Sequence, residues 1–94
     1  MFRATISEDG EILLRGRFDA AQVEKAEMVL REIAKSTIVN FEELEYISSA
    51  GLGILLATQK RLNESGDSLK LINMNKHIRD VFRYSGFDTI FEIE

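Results

Sequence analysis

Short aliphatic runs alternate with segments of helical period along this chain, and that alternation restricts its fold more than any other feature. FRATIS (2–7) and EILLRG (11–16) flank the turn EDG and read as two strands of a hairpin. FDAAQVEKAEMVLREIAK (18–35) then places Val23, Ala26, Val29, Leu30 and Ile33 at helical spacing. Glu24, Lys25, Glu27, Arg31 and Glu32 mostly fall elsewhere, which predicts an amphipathic helix with Asp19 at its N-cap. TIVNF (37–41) is β-branched and unalternating, the pattern of a strand buried on both faces. SAGLGILLATQKRLNES (49–65) predicts a second helix, apolar almost all round at first and polar later, closed by Gly66. SLKLIN (68–73) reads as a strand. NKHIRDVFRYSG (75–86) reads as a helix between Asn75 and Gly86 with Ile78, Val81 and Phe82 inward, and TIFEI (89–93) as a last strand. The order ββαβαβαβ predicts an α/β domain over residues 1–94: a mostly parallel five-stranded sheet with right-handed crossovers, opened by an N-terminal hairpin and carrying three main helices.

Composition narrows the chemistry. With no cysteine among its 94 residues, the chain has neither disulfides nor thiolate metal sites, which fits a cytoplasmic location. The first residues do not form a charged-then-apolar leader, and no apolar run approaches the roughly 20 residues of a membrane span. Net charge is -4, with lysines and arginines scattered, whereas a nucleic-acid surface gathers them on one face. A protein partner is the expectation.

Catalytic patterns fit poorly. ISSAG departs from the G-x-S-x-G nucleophile elbow because Ile47 replaces the first glycine. The corresponding triad would be Ser49, Asp67 and His77, with Asp67 in a short loop and His77 on the polar side of a helix. Gly51 and Gly53 begin a dinucleotide fingerprint that fails at Leu56, there is no phosphate-binding P-loop, and the carboxylates form no metal cluster. No cofactor is implied. What stands out is a serine at a strand-to-helix junction followed by two glycines, each costing about 1 kcal/mol in a helix relative to alanine. Two readings are open. Ser48 or Ser49 caps the helix while the glycines allow close packing; or a hydroxyl is displayed where a helix N-terminus tolerates a phosphate and Gly51 leaves room for an approaching protein.

The stretch VNFEELEYISSAGLGILLATQKRLNESGDSLKLINMNKHIRDVFRYSGFDTIFEIE closely resembles the STAS domain of bacterial anti-sigma factor antagonists. That family shows a short strand, then D-S-[SA]-G-L-G, a helix, a strand, and L-x-x-x-G-[LF]-x-x-x-F. This chain supplies Ser49, Ala50, Gly51, Leu52 and Gly53, then Phe82, Gly86, Phe87 and Phe91, and GRFDA (16–20) matches upstream. The resemblance implies partner switching. An anti-sigma factor serine kinase of the GHKL type binds the unphosphorylated antagonist, releases it once phosphorylated, and a phosphatase resets it. Carried over, the phosphorylation site is Ser49 (with Ser48 as the alternative), and Asp19, Ser48, Ser49, Gly51 and Leu52 form the partner-binding surface. Among the departures from the pattern, Ser48 replaces the motif aspartate, and Asn40 stands where the strand often has aspartate. STAS domains also act as non-phosphorylated scaffolds, including the small subunit of lipid-transport ABC complexes, and loss of the motif aspartate raises that alternative.

Overall fold

A computed structural model describes residues 1–94. Strands β1 (Arg3–Ile6) and β2 (Ile12–Phe18) are followed by helix α1 (Val23–Leu30), strand β3 (Thr37–Ile47), helix α2 (Ser49–Asn63), strand β4 (Leu69–Ile72), helix α3 (Lys76–Ser85) and strand β5 (Glu92–Ile93). This is the predicted element order. The sheet runs β1-β2-β3-β4-β5, antiparallel in the first pair and parallel in the other three. Sequential parallel strands joined by right-handed crossovers send every crossover helix to the same face. Burial follows: in β2 Ile12, Leu14, Gly16 and Phe18 are buried while Arg15 and Arg17 are exposed.

That arrangement corrects the expectation of a strand buried on both faces. In β3, Val39, Phe41, Leu44 and Ile47 point into the core, whereas Ile38 on the opposite face is exposed. The strand is also eleven residues long, continuing through EELEYI. Beyond Phe41 it stays paired with β2, setting Glu43 beside Arg15, Tyr46 beside Arg17 and Ile47 beside Phe18 across two register shifts. The Arg15–Glu43 ion pair (2.8 Å) and the Arg17 guanidinium 4.3 Å above the Tyr46 ring cover this stretch on its solvent side.

The first helix is shorter than the predicted 18–35. A 3-10 turn, Ala20–Gln22, precedes it, and Asp19 caps that turn by accepting the Ala21 N–H at 3.1 Å. At the other end, Arg61 from α2 donates to the carbonyls of Leu30 (2.9 Å) and Ile33 (2.8 Å). The Leu30 carbonyl also takes the Ile33 N–H at 3.2 Å, so Arg61 adds a second bond to this helix end, and Ile33 remains buried beyond the last turn. TIFEI is corrected as well. Phe87–Thr89 forms a 3-10 turn and only Glu92–Ile93 pairs with β4, so Phe91 contributes by packing. Its ring lies 5.7 Å from that of Phe82, which sits 6.0 Å from Phe41, both edge to face.

Two contacts position the N-terminus and the end of the sheet. Gly16 adopts φ +83°, and a Cβ there would fall 1.9 Å from the carbonyl oxygen of Met1, so only glycine lets the first residues cross β2. Lys70 in β4 bonds Glu94 at 2.6 Å, beside Glu92, and this hydrogen bond lifts the ammonium pKa above its usual 10.5. No helix is long and apolar enough to cross a membrane.

Candidate functional site at the start of helix α2

The carboxyl ends of β2 and β3 finish side by side, with Phe18 in register with Ile47. The ladder continues one step further: the Ser48 N–H donates to the Phe18 carbonyl at 2.9 Å. Asp19 and Ser48 are therefore the first residues to leave the sheet on neighbouring strands, and the chain turns from each into a helical element. Open parallel sheets bind their ligands at such carboxyl ends.

The two serines differ in their bonding. Ser48 is extended (φ -90°, ψ 172°), half-buried, and its Oγ accepts the Gly51 N–H at 3.2 Å, which makes it the N-cap of α2. Its carbonyl takes the Leu52 N–H at 2.9 Å and starts the helical ladder. Ser49 is the first residue of the helix and is exposed, and its hydroxyl enters no hydrogen bond within the chain. The two readings left open by sequence thus divide between neighbours. Ser48 is the cap, and Ser49 presents a free hydroxyl beside the unpaired N–H groups of the first turn.

The glycines divide as well. Gly51 was expected at the docking surface but faces the core: a Cβ there would lie 2.9 Å from Ile47 Cγ1 and 3.1 Å from both Cγ and the carbonyl oxygen of Phe18. Leu52, also expected there, is 7% exposed and belongs to the core. Both follow from the inward stripe of α2, which continues through Leu55, Thr58, Gln59 and Leu62. Of the five expected surface residues, the structure brings Asp19, Ser48 and Ser49 together at the surface and turns Gly51 and Leu52 inward. Gly53, not among the residues expected at the partner surface, is exposed with nothing within 4 Å of a Cβ position. It lies one turn after Ser49 on the same helix face, and that i, i+4 spacing was the available signal.

The hydrolase triad is separated by the fold. Asp67 accepts the Ser36 N–H (3.0 Å) and hydroxyl (3.1 Å) at the end of β3 where the strand begins, opposite the end that leads to Ser49. No group of three or more His, Cys, Asp or Glu side chains is arranged to hold a metal ion. Asn40, the second departure from the family pattern, accepts the Glu42 N–H at 2.9 Å and donates to Glu11 at 3.1 Å, holding the outer sheet face in place.

A family profile described as "Mlab, STAS domain" matches residues 2–92. The chain belongs to the STAS domain family. BtrV of Bordetella bronchiseptica, a candidate anti-sigma factor antagonist, is 38% identical over 74 residues, covering 79% of this chain. The match spans only 58% of that relative's length. The anti-sigma-B factor antagonist of Staphylococcus aureus is 26% identical over 87 residues, covering 88% of this STAS chain and 81% of its own. Among solved structures, a candidate anti-sigma factor antagonist from Thermotoga maritima superposes with a TM-score of 0.80 at 20% identity, over 99% of this chain and 85% of that one. Unphosphorylated SpoIIAA, an anti-sigma factor antagonist, gives 0.73 at 24% identity, over 100% and 88%. These structural likenesses establish a shared STAS fold.

Proposed function

We propose that this STAS domain is an anti-sigma factor antagonist that binds an anti-sigma factor through the corner formed by Asp19, Ser48, Ser49 and Gly53, and that phosphorylation of Ser49 releases it. The observation that carries this reading is the unequal bonding of the two serines. The Ser48 hydroxyl is engaged as a cap, whereas the Ser49 hydroxyl is exposed, unbonded and placed where a phosphate meets free N–H groups. The names of the Bordetella and Staphylococcus relatives support the same class of partner. A serine kinase of the GHKL type supplies the phosphate and a phosphatase removes it. The domain itself acts by binding.

Affinity capture from the source cell, with mass spectrometry of the captured protein and of the phosphosite, tests this directly. The expected capture is a kinase-type anti-sigma factor with phosphate on Ser49. Labelling by that kinase and ATP should persist in Ser48→Ala and vanish in Ser49→Ala; labelling of Ser49→Ala at Ser48 would reverse the assignment. A second reading, a non-phosphorylated scaffold of a lipid-transport ABC complex, is favoured by the serine at position 48 in place of the motif aspartate and by the family profile that matches. Capture of a transporter ATPase with no phosphate on either serine would select it.

A further inference from the structure

Three of the six exposed large hydrophobic side chains lie along one border of the molecule. Met1, Ile6 and Met28 are 98%, 46% and 68% exposed, and they belong to the β1 edge and to the α1 helix that packs on it. As the first strand of the sheet, β1 pairs only with β2, so one row of its backbone N–H and C=O groups has no strand partner. Edge strands are ordinarily blunted by shortness, charge, proline or a bulge; RATI is four residues long with one charge, Arg3, and has no proline, lysine or bulge. A hollow of about 410 Å³ runs beside it, with Ala4 and Thr5 on the strand side and Lys25, Met28 and Val29 on the helix side.

The outer stripe of α1 says what would cover this border. Lys25 and Met28 on α1, at i and i+3, and Glu32 in the turn just after the helix are exposed, giving in chain order a cation, an apolar side chain and an anion. Neither Lys25 nor Glu32 belongs to any of the chain's ion pairs, which join other residues. A twofold axis reverses such a stripe, so the cation of one copy meets the anion of the other and the apolar centres meet. The surface is its own complement, as an isologous interface requires.

We infer that two copies of this chain associate through this border, pairing β1 with β1 antiparallel and α1 with α1 across a twofold axis. Side chains directly opposite each other must share a sheet face. Ala4, in register with buried Leu14, lies on the helix face, whereas Arg3 lies on the open face opposite Arg15. An axis through Ala4 meets this condition. It sets Arg3 against Thr5 of the second copy, avoids opposing the two Arg3 side chains, and joins the two sheets into one. Met28 then packs against the second copy's α1, and Lys25 pairs with its Glu32 twice over.

Sedimentation velocity of the whole chain across the micromolar range, together with hydrogen exchange at β1, tests the interface. The expected result is a concentration-dependent dimer whose β1 amides slow in step with dimer formation. Met28→Lys and Lys25→Glu change exposed side chains, so both should keep the fold by circular dichroism and weaken association at least tenfold, about 1.4 kcal/mol. Lys25→Glu combined with Glu32→Lys should regain wild-type association, because the two charge pairs are restored with their ends exchanged. A chain that stays monomeric throughout, a dimer untouched by Met28→Lys, or a double variant no better than Lys25→Glu alone would overturn the inference.

Discussion

Gly51 stands so close to Phe18 that a Cβ at position 51 would lie 3.1 Å from both the Phe18 Cγ and its carbonyl oxygen. That oxygen already accepts the Ser48 N–H, and Ile47 crowds the same place at 2.9 Å, so little there can yield. Helix propensity alone would favour Gly51→Ala by about 1 kcal/mol. Overpacking a filled core costs about 1–3 kcal/mol, and it wins. Gly51→Ala should lower the melting temperature. Gly53→Ala, which meets open space, should raise it by the equivalent of up to about 1 kcal/mol. Thermal melts of the two variants, side by side, check the opposite signs.

Gly53 then becomes the glycine with which to probe the partner surface. Gly53→Gln keeps or improves the fold but sets a long side chain one turn from Ser49. Binding of the captured partner should weaken at least tenfold, about 1.4 kcal/mol. Calorimetric titration that finds unchanged affinity would remove this helix face from the interface.

The two serines should separate in stability as they do in bonding. Ser48→Ala loses the cap on the Gly51 N–H and should cost about 1 kcal/mol. Ser49→Ala removes a hydroxyl bonded to nothing in the chain and should stay within about 0.5 kcal/mol of wild type. Ser48→Asp restores the residue of the family motif, retains capping, and adds a negative charge at the helix N-terminus. It should gain about 0.3–1 kcal/mol at low salt. Urea unfolding of the three variants gives the order directly.

Elements bounded by local chemistry were legible in the sequence. Helix α3 runs between Asn75, whose side chain accepts the Ile78 N–H at 2.8 Å, and left-handed Gly86, as its sequence predicts. Elements defined by distant neighbours were not. The acidic run EELEYI reads as a connection, because its partners Arg15 and Arg17 lie far upstream and its carboxylates point to solvent. That β3 is buried on one face only follows from the strand order, a property no short window contains. At the proposed site, the motif pointed to Ser48 and Ser49, which open α2, but which glycine faces the core depends on Phe18, and Phe18 meets α2 only after β2 and β3 have paired.

Lys70 ties the two-residue β5 to the sheet through Glu94, with Glu92 alongside. Its pKa is raised in the folded chain, chiefly by the hydrogen bond to Glu94. The contribution is therefore complete below the ordinary value of 10.5 and is lost as pH rises past it, through the folded-state pKa. Melts between neutral pH and strongly alkaline pH should show a decline in this window. Glu94→Gln should flatten that part of the curve, and added salt should do the same because the pair is exposed.

Phosphorylation of Ser49 should act at the surface and leave the fold intact. A phosphoserine carries about -1.5 to -2 charge at neutral pH. On the first residue of α2 that charge meets the unpaired N–H groups of the opening turn, a placement worth about 0.3–1 kcal/mol of stability, or about 2 if partly buried. Its distance from the core matters too. The residues of this turn that pack inward are Gly51 and Leu52, whereas Ser49 is exposed. Inside a protein interface the same dianion must shed water, and without a cation to receive it that costs several kcal/mol. The interface effect is the larger, so partner affinity should collapse while the melting temperature holds or rises slightly. Circular-dichroism melts and calorimetric titrations on the phosphorylated and unmodified chain measure both quantities. A clear fall in melting temperature that tracks the loss of binding would mean that the switch runs through the fold and not through the surface around Ser49.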